Sequence, residues 1–147
     1  MSPEFRAIVE QLHEKCERLM AADPYGKGMT LPVKGVYLFR ENGVDLYVGR
    51  SNNIPRRYDN HRRGTVNQAA FAGLLAREEL GIKRTYEPGA KVRASEPKFV
   101  EAFRKGKERV SAMEFRAVEE NEQIRQALLE IYCAVTLGTR YNGFGTH

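Results

Sequence analysis

Gly35-Val36-Tyr37-Leu38-Phe39-Arg40-Glu41-Asn42-Gly43-Val44-Asp45-Leu46-Tyr47-Val48-Gly49 is the stretch whose reading decides the fold. Strand formers fill both halves, and Asn42-Gly43 between them is the strongest short hairpin signal, because these two residues tolerate the positive φ of the turn. Alternation places Val36 and Leu38 on one face of the first strand and Tyr37 and Phe39 on the other. In the second strand Leu46 and Val48 oppose Tyr47. One face of the hairpin is aliphatic and suits packing against helices. The other carries Tyr37 and Tyr47 and can hold polar chemistry.

Upstream, Ser2-Pro3-Glu4 reads as a helix cap, a first-turn proline and a first-turn acid. Phe5, Ile8, Val9, Leu12, Cys16 and Leu19 follow at helical spacing, so a helix is expected near 3–20, ended by Asp23-Pro24-Tyr25-Gly26. Downstream, Asn53 is a candidate cap for a helix running to about Arg63 and stopping at Gly64. A further helix is expected from Asn67 to Gly81. Residues 87–97 read as a loop, and 96–104 as a short helix capped by Ser95. The alternation of Val110 and Ala112 against Met113, Phe115 and Ala117 suggests a third strand over 109–118. A last helix spans roughly 122–137, with Gly138 at its end. The expected fold is α/β: a small three-stranded antiparallel sheet flanked by helices, with an extra N-terminal helix. The length of 147 residues suits one domain, 1–147, with 1–30 as N-terminal helix and 65–118 as a variable helical and loop insertion plus the third strand.

Composition narrows the class. Apolar residues at 41% and charged residues at 29% fit a chain that buries a core, not a disordered or fibrous one. No apolar run is long enough for a membrane span, and the charged N-terminus does not form a signal-peptide core. Cys16 and Cys133 are far apart with no CxxC pair, which argues against a zinc site or a disulfide framework and fits a reducing cytoplasm. The net charge of +5 makes a polyanionic partner plausible without specifying one.

Three features carry chemistry. From Arg50 to Arg63 the chain holds Arg50, Arg56, Arg57, His61, Arg62 and Arg63 against the single acid Asp59. Arg57 and His61 are four apart and share a helix face. An arginine there can grip a phosphate bidentately, and a histidine one turn on can take or relay a proton near neutral pH. The plainer reading is a solvated basic face. Second, Glu130 is the single charge in the run from Ala127 to Leu137. A carboxylate in so apolar a helix needs a cation or strong donors. It suits a ligand for Mg2+, which binds through one or two carboxylates and keeps several waters; the alternative is a structural salt bridge to an arginine. Third, Tyr37 and Tyr47 are by default packing aromatics, and either one acting as a base would need a neighbouring cation or base to lower its phenol. His13 and His147 read as surface residues without partners, and Cys16 and Cys133 as core.

Gly35-Val36-Tyr37 and Tyr47-Val48-Gly49 resemble the paired short motifs of the GIY-YIG nuclease superfamily, with Val in place of Ile in both. The segment from Gly49 to Arg57 resembles the loop and helix that follow in that family and bear its arginine, here Arg57. His61, Glu130 and Asn142 match, in order, a histidine, a metal-binding glutamate and an asparagine of its restriction-endonuclease-like branch. The resemblance covers about 35–63 and 121–142. It implies a divalent-metal-dependent endonuclease that hydrolyses DNA phosphodiester bonds, with Tyr37, Tyr47, Arg57, His61, Glu130 and Asn142 catalytic. Glu130 would hold Mg2+ or Mn2+. Arg50, Asn53, Arg56, Arg62 and Arg63 would contact DNA, expected to be double-stranded, and Lys83, Arg84, Lys91, Arg93, Lys98, Arg104, Lys105 and Lys107 could add contacts. Cutting both strands calls for a homodimer or two encounters. A structure-specific repair or recombination nuclease, and a non-catalytic nucleic-acid-binding module, stay open as alternatives.

Overall fold

A computed structural model describes residues 1–82 and 96–144. The described elements are α1 (Pro3–Ala21), β1 (Gly35–Glu41), β2 (Val44–Ser51), α2 (Ile54–Arg63), α3 (Ala70–Leu80), α4 (Pro97–Ala112), β3 (Glu114–Glu119) and α5 (Gln123–Leu137). They fall into two compact units, residues 1–55 with 113–147, and residues 56–112. No described helix is long and apolar enough to cross a membrane.

The first unit is built on the hairpin. Asn42 and Gly43 both take positive φ, 51° and 78°, so the two-residue turn closes as the sequence predicts. β1 is the central strand of an antiparallel sheet ordered β2-β1-β3. Being central, its residues Val36, Tyr37, Leu38 and Phe39 are all buried. The aliphatic face packs as expected: Val36, Leu38 and Val48 join Leu12, Cys16 and Leu19 of α1 and Leu129 and Cys133 of α5 in one core. The opposite face is aromatic, with the rings of Tyr37, Phe39 and Phe115 within 4.9–5.9 Å of one another.

α1 starts where Ser2 accepts a hydrogen bond from the Phe5 amide at 3.1 Å. At its other end the Arg116 guanidinium of β3 donates to the Ala22 carbonyl, satisfying backbone that the helix leaves open. α5 ends at Gly138, whose left-handed φ of 65° lets its amide turn back onto Ala134. Gly35 has a different reason to be glycine. A Cβ there would lie 2.0 Å from the Val118 carbonyl oxygen of the paired strand, so any side chain would force β1 and β3 apart.

The second unit holds most of α2, with α3 and α4. Its buried face combines Phe71, Ala72, Leu75 and Ala76 of α3 with Phe99, Ala102, Phe103, Gly106 and Val110 of α4. The helices approach so closely that a Cβ on Gly106 would sit 2.8 Å from the Ala72 carbonyl.

The structure corrects several boundaries. The third strand is Glu114–Glu119, and residues 109–112 are helical. Val110 continues the stripe of Phe99, Phe103 and Gly106 at helical spacing, so burial on α4 outweighs the short alternation that suggested a strand. The helix expected over 96–104 therefore runs Pro97–Ala112. α3 begins at Ala70, because residues 65–69 fold into a turn in which the Gln68 and Ala69 amides both donate to the Thr65 carbonyl. The expected loop over 87–97 lies outside the described residues except for Glu96 and Pro97, as does the Ser95 cap.

Gly35→Ala is expected to lower unfolding free energy by about 2–3 kcal/mol, the upper range for forcing atoms into a packed site. Gly26→Ala, where nothing lies within 4 Å, should stay close to wild type. Urea denaturation of both variants measures the difference.

Candidate functional site

The hairpin register sets Tyr37 opposite Gly49 and Phe39 opposite Tyr47. The Tyr37 ring lies directly over Gly49: a Cβ on that glycine would sit 2.3 Å from the phenol oxygen. The two short motifs are thus one local object, in which the tyrosine of the first occupies the space left by the glycine of the second. The face expected to hold polar chemistry is packed tighter than the sequence suggests. Tyr37 is 1% exposed, and Tyr47 is half-buried.

β2 ends beside α5. There the Arg50 guanidinium meets Glu130 at 3.7 Å, a loose ion pair in which Arg50 is largely open to solvent and Glu130 is mostly covered. Burial holds the Glu130 carboxyl above its ordinary pKa, while the charge of Arg50 and a hydrogen bond from its backbone pull the other way. Burial wins, so the carboxylate is only partly compensated. Two readings of Glu130 are open from the sequence; the structure gives it an arginine partner, held loosely.

Asn142 is fully engaged with the backbone of β2. Its Oδ1 accepts from the Val48 amide and its Nδ2 donates to the Val48 carbonyl, both at 2.7 Å, and Thr139 donates its hydroxyl to the same Oδ1. The Tyr141 amide adds a bond to the Leu46 carbonyl at 3.3 Å. A side-chain amide here does what a neighbouring strand would do, closing the outer edge of the sheet next to Tyr47 and Gly49.

In the second unit, Arg57 donates to the Gln68 carbonyl at 3.0 Å. His61 is completely buried, and burial foremost, with the Arg57 charge second, pushes its imidazole down to about 3. It is therefore neutral at neutral pH, contrary to the expectation of a group titrating near 7. Arg56 and Asn53 are exposed, and the Asn53 amide donates to the Ser51 hydroxyl at 2.8 Å. Arg62 stacks over Tyr58 at 4.7 Å and Arg63 pairs with Asp59 at 2.5 Å. Much of the charge on α4 is spent internally. Arg104 is gripped by Glu101 and Glu108, Lys105 faces Glu79 at 3.8 Å, and Lys107 donates to the Gly64 carbonyl. Lys83, Arg84, Lys91, Arg93 and His147 lie outside the described residues.

Among the described residues no three His, Cys, Asp or Glu side chains gather as a metal cluster. Sequence reasoning missed some partnerships altogether. His13 is not isolated: it bonds the Tyr132 hydroxyl at 2.8 Å and Glu17 at 2.9 Å. Glu120 and Gln126, both buried, were not singled out. The one signal for Gln126 is its place a single turn ahead of Glu130 in an apolar helix. Compared with family models, curated proteins and solved structures, the chain finds no match in any of the three.

The buried neutral imidazole makes stability depend on pH with a definite sign. Its folded pKa, about 3, lies below the unfolded value of 6.5, so the unfolded chain takes the proton first as pH falls. Stability tied to His61 is intact above 6.5 and drains away towards 3. Linkage gives a loss of about 2 kcal/mol between pH 7 and pH 5. In His61→Gln that portion of the slope should vanish, as read by urea midpoints at the two pH values. Parallel slopes for the two proteins would contradict the burial of a neutral ring.

Proposed function

We propose that this chain is a divalent-metal-dependent endonuclease acting on double-stranded DNA, in the manner of the GIY-YIG nucleases whose motifs it resembles. The observation that carries the reading is Glu130: a mostly covered carboxylate on an apolar helix, above its ordinary pKa, with one loose cation at 3.7 Å. Leaving a carboxylate in that state costs stability unless something else uses it. A hydrated Mg2+ or Mn2+ held by Glu130 would supply charge to polarise the scissile phosphate and stabilise the leaving oxygen.

The other roles belong to the chain itself. Arg57 neutralises charge on the phosphoryl oxygens as the transition state develops, using a planar fork that lysine lacks. Tyr47, the phenol that solvent reaches, orients the phosphate or the attacking water. Tyr37 is the candidate general base, and its packing over Gly49 fixes where its oxygen lies. An imidazole held down to about 3 is a weak base, so His61 serves as a hydrogen-bond acceptor more readily than as a proton carrier. Asn142 contributes by holding β2, since its amide is committed to Val48. Arg50, Arg56, Arg62 and Arg63 supply backbone contacts, which position DNA without reading its sequence.

Supercoiled plasmid incubated with the protein and Mg2+, with and without chelator, tests the reading directly. Nicking that disappears with chelator supports it; binding without cutting would favour the non-catalytic module. Glu130→Gln should abolish nicking while binding in Ca2+ survives. Arg57→Ala should slow it at least ~10²-fold, the scale for losing one transition-state donor, with Arg57→Lys only partly restoring it. Arg62→Ala should instead weaken binding and reduce its log–log salt dependence by about one unit. Equal kinetic losses from Arg57→Ala and Arg62→Ala would undo this division of labour.

A further inference from the structure

A line of polar groups, with Glu120 and Gln126 buried at its centre, crosses the first unit. Lys15 of α1 donates to the Glu120 carboxylate at 2.8 Å and to the Glu119 carbonyl at 3.2 Å. The other oxygen of Glu120 accepts from the Glu122 amide at 3.2 Å. The Glu120 carbonyl accepts from the Gln126 carboxamide at 2.7 Å, and the same nitrogen of Gln126 donates to Oδ1 of Asn52 at 3.1 Å. Gln126 is 1% exposed and Asn52 is exposed. A buried carboxamide is retained only where its hydrogen bonds are made, because an unmade one costs its full desolvation. Both donor bonds of this one end on backbone or loop, and the outer one reaches the connection through which the chain leaves β2 for α2. The connection is also held where the Asn53 amide donates to the Ser51 hydroxyl and the Ile54 amide to the Val33 carbonyl, both at 2.8 Å. Gln126 ties it to α5, the helix that carries Glu130 one turn later.

We propose that Gln126 is a positioning residue, whose carboxamide fixes the Ser51–Pro55 connection to the helix of Glu130. The connection begins directly after Arg50, the partner of Glu130 at 3.7 Å, so the anchor holds that end of β2 against the helix of Glu130. Its catalytic consequence rests on the nuclease reading above. The anchoring itself does not. Lys15 and Glu120 extend the anchor to α1, which gives the extra N-terminal helix a part in holding the connection.

The full chain carries two readouts. The first is hydrogen exchange at the Asn53 and Ile54 amides, without metal or DNA. Asn52→Ala, a surface change that removes the acceptor, should raise exchange there about tenfold. Asn52→Asp keeps an acceptor oxygen and should stay at the wild-type rate. Gln126→Leu should match Asn52→Ala if it folds, and Asn52→Ala decides the matter if it does not. The second readout is nicking of plasmid in Mg2+. Asn52→Ala should lower kcat about tenfold with KM little changed, and Asn52→Asp should restore it. Unchanged exchange in Asn52→Ala would overturn the anchoring. Raised exchange with wild-type kcat would overturn its part in the reaction. A wild-type protein that cuts nothing would remove the nuclease reading and the catalytic role with it, while the exchange result would still decide the anchoring.

Discussion

The passage of the Tyr37 ring over the bare backbone of Gly49 is the contact on which the first unit depends. It requires the two-residue turn together with the bulge that follows it, because the turn alone would set Tyr37 opposite Val48, and the register shift between Phe39 and Arg40 moves Gly49 into that place. It requires glycine, because any Cβ at 49 would enter the phenol. On the other side of the same central strand, Gly35 lets β3 close up to within contact of the β1 backbone. A strand hemmed in this way must be apolar on both faces, and Val36 through Phe39 are buried without exception. Helices α1 and α5 then cover the aliphatic face, and the aromatic face is filled by Tyr37, Phe39 and Phe115.

The polar groups follow from that packing. With the core occupied by aliphatic and aromatic side chains, polar residues that are buried or half-buried find partners in one another and in the backbone. Glu120 takes Lys15 and the Glu122 amide, Gln126 takes Asn52 and the Glu120 carbonyl, and Asn142 takes both backbone groups of Val48. Glu130 stands apart because its partner is distant and solvent-exposed. Burial holds its carboxyl above its ordinary pKa against the pull of Arg50. His61 is the counterpart in the second unit, a titratable ring kept neutral by burial.

Charge tells less than its sum suggests. The excess of five positive charges invites a polyanion, yet Arg63, Arg104, Lys105 and Lys107 already face partners in their own unit. Arg56 is exposed at the start of α2, and Arg57 donates to the Gln68 backbone carbonyl. Exposed ion pairs of this kind are weak and exchange readily, so they do not exclude a phosphate backbone; they set how much of the charge is on offer.

The sequence by itself determined the hairpin, its turn, the cap of α1, the glycine end of α5 and the division of Val36 and Leu38 from Tyr37 and Phe39. These are local matters, decided by φ preferences, side-chain alternation and capping chemistry within a few residues. It also marked Glu130, because one charge in an apolar helix is visible without a structure. Tertiary structure alone decided that Val110 belongs to a helix, since helical burial beside Phe103 and Gly106 outweighs a brief alternation. It decided that Asn142 spends its amide on β2, that His13 meets Tyr132, and that Gln126 reaches Asn52 across 74 positions of sequence. It also decided that the His61 imidazole is neutral, because desolvation depends on what surrounds a ring and not on its neighbours in the chain.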